Sequence, residues 1–202
     1  MPANLAIALY EIAWDAVNRH HAMQRVPELA AALSAAAWLG PCTAAEIGCH
    51  AGGTLWAWQQ LGAQVFGITL PAGTAPGQAY AEDHMPAGAM VRYADSHDLD
   101  SVAWLRAALA GLPLDLLHVD GDHTQGGCAA DVADYGPLVR AGGLILVNDI
   151  YYSGAPGVAR AWASFEARWP GQCRALPGAA EDPAGFGVIT VTEGMFDAQT
   201  AH

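Results

Sequence analysis

Four short stretches of this 202-residue chain carry residue types able to do chemistry at spacings that matter. The first is Glu46-Ile47-Gly48-Cys49-His50-Ala51-Gly52-Gly53-Thr54. Glycine at this density after an apolar run lets backbone come close to a ligand, because no Cβ stands in the way. A tight strand-to-helix connection without any ligand would favour the same residues. The second and third stretches are Asp120-Gly121-Asp122-His123 and Asn148-Asp149. If they end neighbouring strands, three carboxylates crowd one site, where like charges raise each other's pKa. The nearest basic residue in sequence, Arg140, lies at the opposite end of its strand. A hard divalent ion, Mg²⁺ above all, would relieve the crowding through oxygen ligands from Asp120, Asp149 and Asn148 while keeping several waters. The alternative is structural: Asp120 or Asp122 caps the following helix, Asp122 being the expected cap, and Asp149 begins a turn. His123 follows Asp120 by three residues, one helix-like turn, and imidazole titrates near neutrality, which suits a proton acceptor. A half-exposed surface histidine is the plainer reading of the same residue. The fourth stretch, Asp95-Ser96, has the composition of an ordinary turn. His118, inside an apolar run, is expected to be hydrogen-bonded in the core. His50 and His97 are expected near a ligand without acting on it, and Tyr151 and Tyr152 to line a pocket or pack under a loop.

The elements that must position these residues can be read from periodicity. Apolar runs at Ala44 to Gly48, Gln64 to Thr69, Met90 to Tyr93, Leu114 to Asp120, Leu144 to Asp149 and Val188 to Thr192 predict buried strands. Helical spacing predicts helices at Leu5 to Val17, Pro27 to Trp38, Thr54 to Leu61, Gln78 to His84, Ser101 to Ala110, Cys128 to Leu138 and Val158 to Trp169. Strand and helix alternate after the first two helices, so the fold class is α/β: a doubly wound, mostly parallel, Rossmann-like sheet with helices on both faces and an N-terminal helical extension. The expected division is residues 1–40 as packed helices, 41–193 as the cofactor-binding domain and 194–202 as a tail. In such a sheet ligands sit outside the carboxyl ends of the strands, and all four stretches lie there.

Composition narrows the chemistry. The chain is 53% hydrophobic with a formal charge of −12, eight Arg and no Lys. No basic stripe exists to follow a phosphate backbone or an anionic membrane, so neither nucleic acid nor membrane is an expected partner. Schiff-base chemistry and a P-loop both need a Lys and are excluded. Cys42, Cys49, Cys128 and Cys173 form no CxxC pair, which suggests reduced thiols rather than zinc or a disulfide framework. No apolar run reaches the roughly 20 residues of a membrane span, and the N-terminus lacks a secretory pattern. A cytoplasmic location is expected, and the sequence leaves a homo-oligomer open. The Gly-rich turn is GxxxGG rather than GxGxxG, and Thr69 stands where dinucleotide binders carry an acidic residue, which disfavours a nicotinamide cofactor.

With those residues in view, the chain resembles the S-adenosylmethionine-dependent methyltransferases of the family containing macrocin-type sugar O-methyltransferases and cephalosporin hydroxylase-like proteins. The matching segments are Glu46-Ile47-Gly48 with Gly52-Gly53-Thr54, Asp95-Ser96-His97, Leu114 through His123, and Leu138-Val139-Arg140-Ala141-Gly142-Gly143 leading to Asn148-Asp149. The resemblance implies S-adenosylmethionine as cofactor. Gly48 and Gly52 would lie against its methionine part, Glu46 near its ammonium, and Asp95 with Ser96 at its adenine amino group. It implies a metal, Mg²⁺, on Asp120 and Asp149, and His123 as general base toward a hydroxyl of a small molecule such as a sugar or secondary metabolite. Thr69 departs from the family pattern, in which an acidic residue accepts both ribose hydroxyls; one hydroxyl cannot replace those paired acceptors. Two other outcomes stay open on that account: another metal-assisted reaction on the same fold, or a small-molecule binding protein without catalysis.

Overall fold

Each of the six apolar runs becomes a strand, and a seventh strand joins them. The computed structural model describes residues 2–40, 42–74, 84–176 and 183–197. In chain order the strands are β1 Thr43–Ile47, β2 Gln64–Thr69, β3 Met90–Tyr93, β4 Leu114–Val119, β5 Val139–Asn148, β6 Cys173–Ala175 and β7 Phe186–Thr190. The helices are α1 Ala3–Arg19, α2 Val26–Ala36, α3 Gly53–Gln60, α4 Leu99–Ala108, α5 Gln125–Tyr135 and α6 Pro156–Arg168. Most of the helix expected over Gln78 to His84, residues 78–83, lies outside the described residues, as do residues 198–202 of the expected tail.

The sheet order is β3-β2-β1-β4-β5-β7-β6, with β1 to β5 parallel. β7 is antiparallel to both β5 and β6. After α6 the chain reaches the edge as β6, three residues too short to show a period, and β7 returns between β6 and β5. The order reverses between β1 and β4, where connections leave to opposite sides and the strand ends open a crevice.

Alternation along the strands divides the core into two layers. Ala45 and Ile47 of β1 face Leu105, Val132, Tyr135 and Phe165 from α4, α5 and α6. Ala44 and the buried faces of α1, α2 and α3, including Leu9, Leu29, Leu33 and Trp58, form the second layer. α1 buries Leu9, Ala13 and Ala16, and α2 buries Leu29, Ala32, Leu33 and Ala36, the spacing that puts one helical face on a sheet. The two helices therefore belong to this layer. Truncating Leu33, which is fully buried, to Ala should cost about 2–5 kcal/mol. Gly53, the first residue of α3, lies against the backbone of His20 and Ala22, so any Cβ there would strike the loop joining α1 to α2. That contact brings the loop over the carboxyl edge of the sheet.

α5 begins three residues earlier than its apolar pattern suggests. Its N-cap is Thr124, whose hydroxyl accepts from Gly127 N at 3.0 Å, while Asp122 Oδ1 accepts from Thr124 N at 2.7 Å. Asp122, expected as the cap, instead holds the turn just ahead of it. No helix among the described residues is long and apolar enough to cross a membrane.

Candidate active site

The crevice at the β1/β4 switch point opens into a cavity of about 830 Å³. Its wall includes Gly48, His50, Thr69, Asp95, Ser96, His97, Asp120, His123, Asn148 and Asp149. Five separate strand ends, those of β1 to β5, thus deliver their residues to one space. Gly48 is required where it stands. Its φ is +84°, and an added Cβ would collide with the Asp120 carbonyl. Gly48 N donates to Ile68 O at 2.8 Å and Asp120 N to Ile47 O at 2.9 Å, so the strand ends are tied edge to edge.

At one end of the cavity Asp120, Asn148 and Asp149 converge. Asn148 Nδ2 donates to Asp120 Oδ1 and to Asp149 Oδ1, each at 3.1 Å, and Gln24 Nε2 from the α1–α2 loop donates to Asp120 Oδ2 at 2.7 Å. His123 Nε2 lies 3.4 Å from Asp120 Oδ1 and 3.7 Å from Asp149 Oδ2. Burial, then the neighbouring Asp120, pushes the Asp149 carboxyl up to about 6. The hydrogen bond to Asp120 raises His123 above its ordinary value despite partial burial. Ligand atoms of Asp120, His123 and Asp149 all lie within 4.8 Å of one another. Asn148 Oδ1 is buried with no hydrogen-bond partner among the described residues, and a half-turn of its amide would aim that oxygen where Nδ2 now points. Two neighbouring carboxylates and a buried amide oxygen form the oxygen-rich donor set that a hard divalent ion takes. Arg25, which also lines the cavity, pulls the Asp149 carboxyl down; sequence reasoning missed this cation because it comes from the N-terminal helices.

The opposite end is built from the turn after β3. Asp95 Oδ1 accepts from His97 N at 2.9 Å, and Ser101 Oγ donates to Asp95 O at 2.7 Å. Tyr135 of α5 donates from its hydroxyl to Ser96 O at 2.6 Å. Thr69 is buried beside this turn, and its Oγ1 finds no hydrogen-bond partner among the described residues. The missing carboxylate of β2 thus leaves an unsatisfied hydroxyl on the cavity wall.

Two expected cofactor residues lie elsewhere. Glu46 is not in the cavity wall: strand alternation turns it toward α3, where it is 1% exposed, accepts from Thr54 Oγ1 and lies 3.2 Å from His118 Nδ1. Glu46 therefore stands in the floor, paired in register with His118. Burial pushes His118 down, but Glu46 with Asp120 and Asp149 outweighs it, so the ring titrates above its ordinary value. Glu46, His118 and Asp120 form a second group whose ligand atoms lie within 4.8 Å, sharing Asp120 with the first. Gly52 lies against Met85 and Pro86 rather than in the wall. Of the two tyrosines, Tyr152 lines the cavity under Arg25, whose guanidinium lies 5.9 Å from the ring centroid, while Tyr151 packs on Gly185.

A family model described as a methyltransferase domain matches residues 45–150, just over half of the chain. No curated protein sequence is significantly similar. Among solved structures, the MycE methyltransferase from the mycinamycin biosynthetic pathway, in complex with Mg, S-adenosylhomocysteine (SAH) and mycinamycin VI, has a TM-score of 0.60 at 16% identity, covering 92% of this chain and 56% of that one. The present chain thus spans little more than half the length of that protein. An O-methyltransferase from Bacillus cereus in complex with SAH has a TM-score of 0.61 at 17% identity, covering 95% of this chain and 92% of that one. A calicheamicin methyltransferase has a TM-score of 0.55 at 12% identity, covering 94% and 93%. At these identities the likeness is one of fold.

Proposed function

The chain belongs to the methyltransferase-domain family, and on that basis we propose that it is an S-adenosylmethionine-dependent, Mg²⁺-assisted O-methyltransferase acting on a hydroxyl of a small molecule. The observation that carries this reading is the convergence of Asp120, His123, Asn148 and Asp149 at one end of a cavity whose other end presents Asp95. The cavity volume, about 830 Å³, is in the range that holds a cofactor and part of an acceptor. Mg and SAH in the mycinamycin-pathway structure support the same pairing on this fold.

The residues divide the work by position. Gly48 brings bare backbone to the cavity, and Asp95 supplies a carboxylate for a donor such as an adenine amino group. Asp120 and Asp149, with the Asn148 amide oxygen, would hold the ion. When bound, the ion supplies positive charge that makes an acceptor hydroxyl more acidic. His123 reaches the same point and is placed to take the hydroxyl proton on Nε2, with Asp120 and Asp149 stabilising the imidazolium that results. Tyr152 and Arg25 flank this end and would bound the acceptor. Holding acceptor and methyl donor in line removes most of the orientational cost of transfer, of order 7–11 kcal/mol at best.

A second reading rests on Thr69. Its buried, unpartnered Oγ1 is a weaker ribose partner than a carboxylate, as expected of a chain that has drifted toward another metal-assisted reaction or toward binding alone. Methyl transfer from labelled S-adenosylmethionine to a panel of catechol, sugar and macrolide hydroxyls separates the readings. The methyltransferase reading expects transfer that needs Mg²⁺ and stops with chelator. Tight cofactor binding with no transfer to any acceptor favours the binding protein.

A further inference from the structure

α5 carries a charged residue where its pattern calls for an apolar one. Its buried positions are Gly127, Cys128, Asp131, Val132 and Tyr135, a core-facing stripe at helical spacing, and Asp131 is 0% exposed. A buried carboxylate is costly unless a donor meets it. Two side chains of the turn after β3 meet it: Ser96, whose hydroxyl pulls the Asp131 carboxyl down, and His97, whose Nε2 lies 3.4 Å from Asp131 Oδ1 and 3.3 Å from Gly127 O. On the other edge of the same ring, Nδ1 lies 3.3 Å from Asp95 Oδ1. Both ring nitrogens therefore face oxygen acceptors, an arrangement satisfied by a ring carrying two N–H groups. The exposed turn after β3 is braced from α5 by this ring and by Tyr135 on Ser96 O. Asp95 Oδ1 is engaged by both the His97 backbone N–H and its ring, so Oδ2 is the oxygen left for a ligand.

We propose that His97, clamped between Asp95 and the buried Asp131, is a positioning residue that fixes the Asp95 carboxylate for an exocyclic amino group and so makes this end of the cavity selective for adenine over a 6-oxopurine. The inference rests on the reading that an adenosyl cofactor occupies the cavity with its base at Asp95. The chemistry is one of matched donors and acceptors. A fixed carboxylate oxygen accepts from the adenine amino group and repels the carbonyl oxygen that replaces it in hypoxanthine. A carboxylate free to turn away discriminates less. Sites built to hydrogen-bond one group reject its replacement far more strongly than apolar pockets do.

Calorimetric titration with SAH and with its hypoxanthine counterpart, S-inosylhomocysteine, tests this on the full chain. Wild type should prefer SAH by about 10²-fold or more. His97→Ala should weaken SAH by about tenfold, the loss of roughly one charge-assisted hydrogen bond, while affinity for the inosyl compound stays near its wild-type value, so that the ratio collapses. Asp131→Asn, at a residue that does not itself line the cavity, should move the ratio the same way. His97→Gln, which keeps a donor on one edge, should recover part of it, and serves as the informative variant if His97→Ala does not fold. A merely structural role would lower melting temperature and weaken both ligands together. A ratio unchanged across the variants, with wild type binding SAH, overturns this proposal alone; absence of SAH binding to wild type overturns it together with the cofactor reading.

Discussion

Glu46 and His118 stand opposite each other across β1 and β4, with Glu46 Oε1 3.2 Å from His118 Nδ1 and both side chains out of solvent. The pair lies directly beneath the switch point, and Thr54 at the start of α3 donates to the same carboxylate. It ties the floor of the cavity to the helix that follows the Gly-rich turn.

Breaking that pair should be a stability event before it is a binding one. Glu46→Ala leaves a buried imidazole facing apolar neighbours, and removal of one partner of such a pair costs about 3–5 kcal/mol. Glu46→Gln, which keeps the Thr54 contact, should cost less and leave SAH affinity within about threefold, a change under roughly 1 kcal/mol. Urea denaturation alongside SAH titration checks both. A large affinity loss in Glu46→Gln without loss of stability would return Glu46 to direct cofactor contact.

Asp131 gives a pH signature. Burial, chiefly, raises its carboxyl to about 6, so the folded chain holds a proton that the unfolded chain has released. Its contribution favours the fold below the ordinary carboxylate range and is lost as pH rises through about 6. His97 is pushed down by burial, but Asp131, the Gly127 carbonyl, Asp95 and Asp122 together raise it, so its contribution has the same sign and is lost at higher pH. Asp131→Asn removes the first contribution and weakens the second. The difference in melting temperature between variant and wild type should therefore change from about pH 4 through about 6 and onward through the titration of His97. A constant difference would mean that Asp131 does not titrate there.

Thr69→Asp probes the departure in β2. If this wall meets the ribose, a carboxylate offers paired acceptors in place of the unpartnered hydroxyl, and SAH should bind about tenfold more tightly, the worth of one hydrogen bond to a charged group. Unchanged affinity would mean that another group serves the ribose.

His123→Gln should leave SAH affinity and melting temperature near wild type and lower turnover with a good acceptor by about 10²–10⁴-fold. Near-normal turnover in this variant would remove His123 as the base.

The parallel sheet was legible in the sequence because β1, β2, β4 and β5 are largely apolar runs buried on both faces, and β2 and β3 match their runs at both ends. Asp120 and Asp149 were legible as neighbours because both end runs that become adjacent parallel strands. β6 was not, since three residues show no period, and β7 was legible as a strand but not in its reversed direction. Glu46 lies outside the cavity wall, and its alternation with Ala45 and Ile47, which turns it to the other face, was the signal available for that. Gln24 and Arg25 reach the acidic end from the α1–α2 loop, a contact set by tertiary packing at Gly53 and invisible to local spacing. Asp131 left one trace, an acidic residue inside an apolar helical stripe, while its partner His97 lies 34 residues earlier and no pattern links the two.

The central claim, an adenosyl cofactor laid across the carboxyl edge of β1 to β3, is tested most directly by calorimetric titration of SAH into wild type and Asp95→Ala. The account predicts saturable, one-to-one binding to wild type and a loss of at least about tenfold in the variant, whose melting temperature stays close to wild type. Equal affinity in both proteins, or no heat of binding to wild type at millimolar SAH, would contradict it.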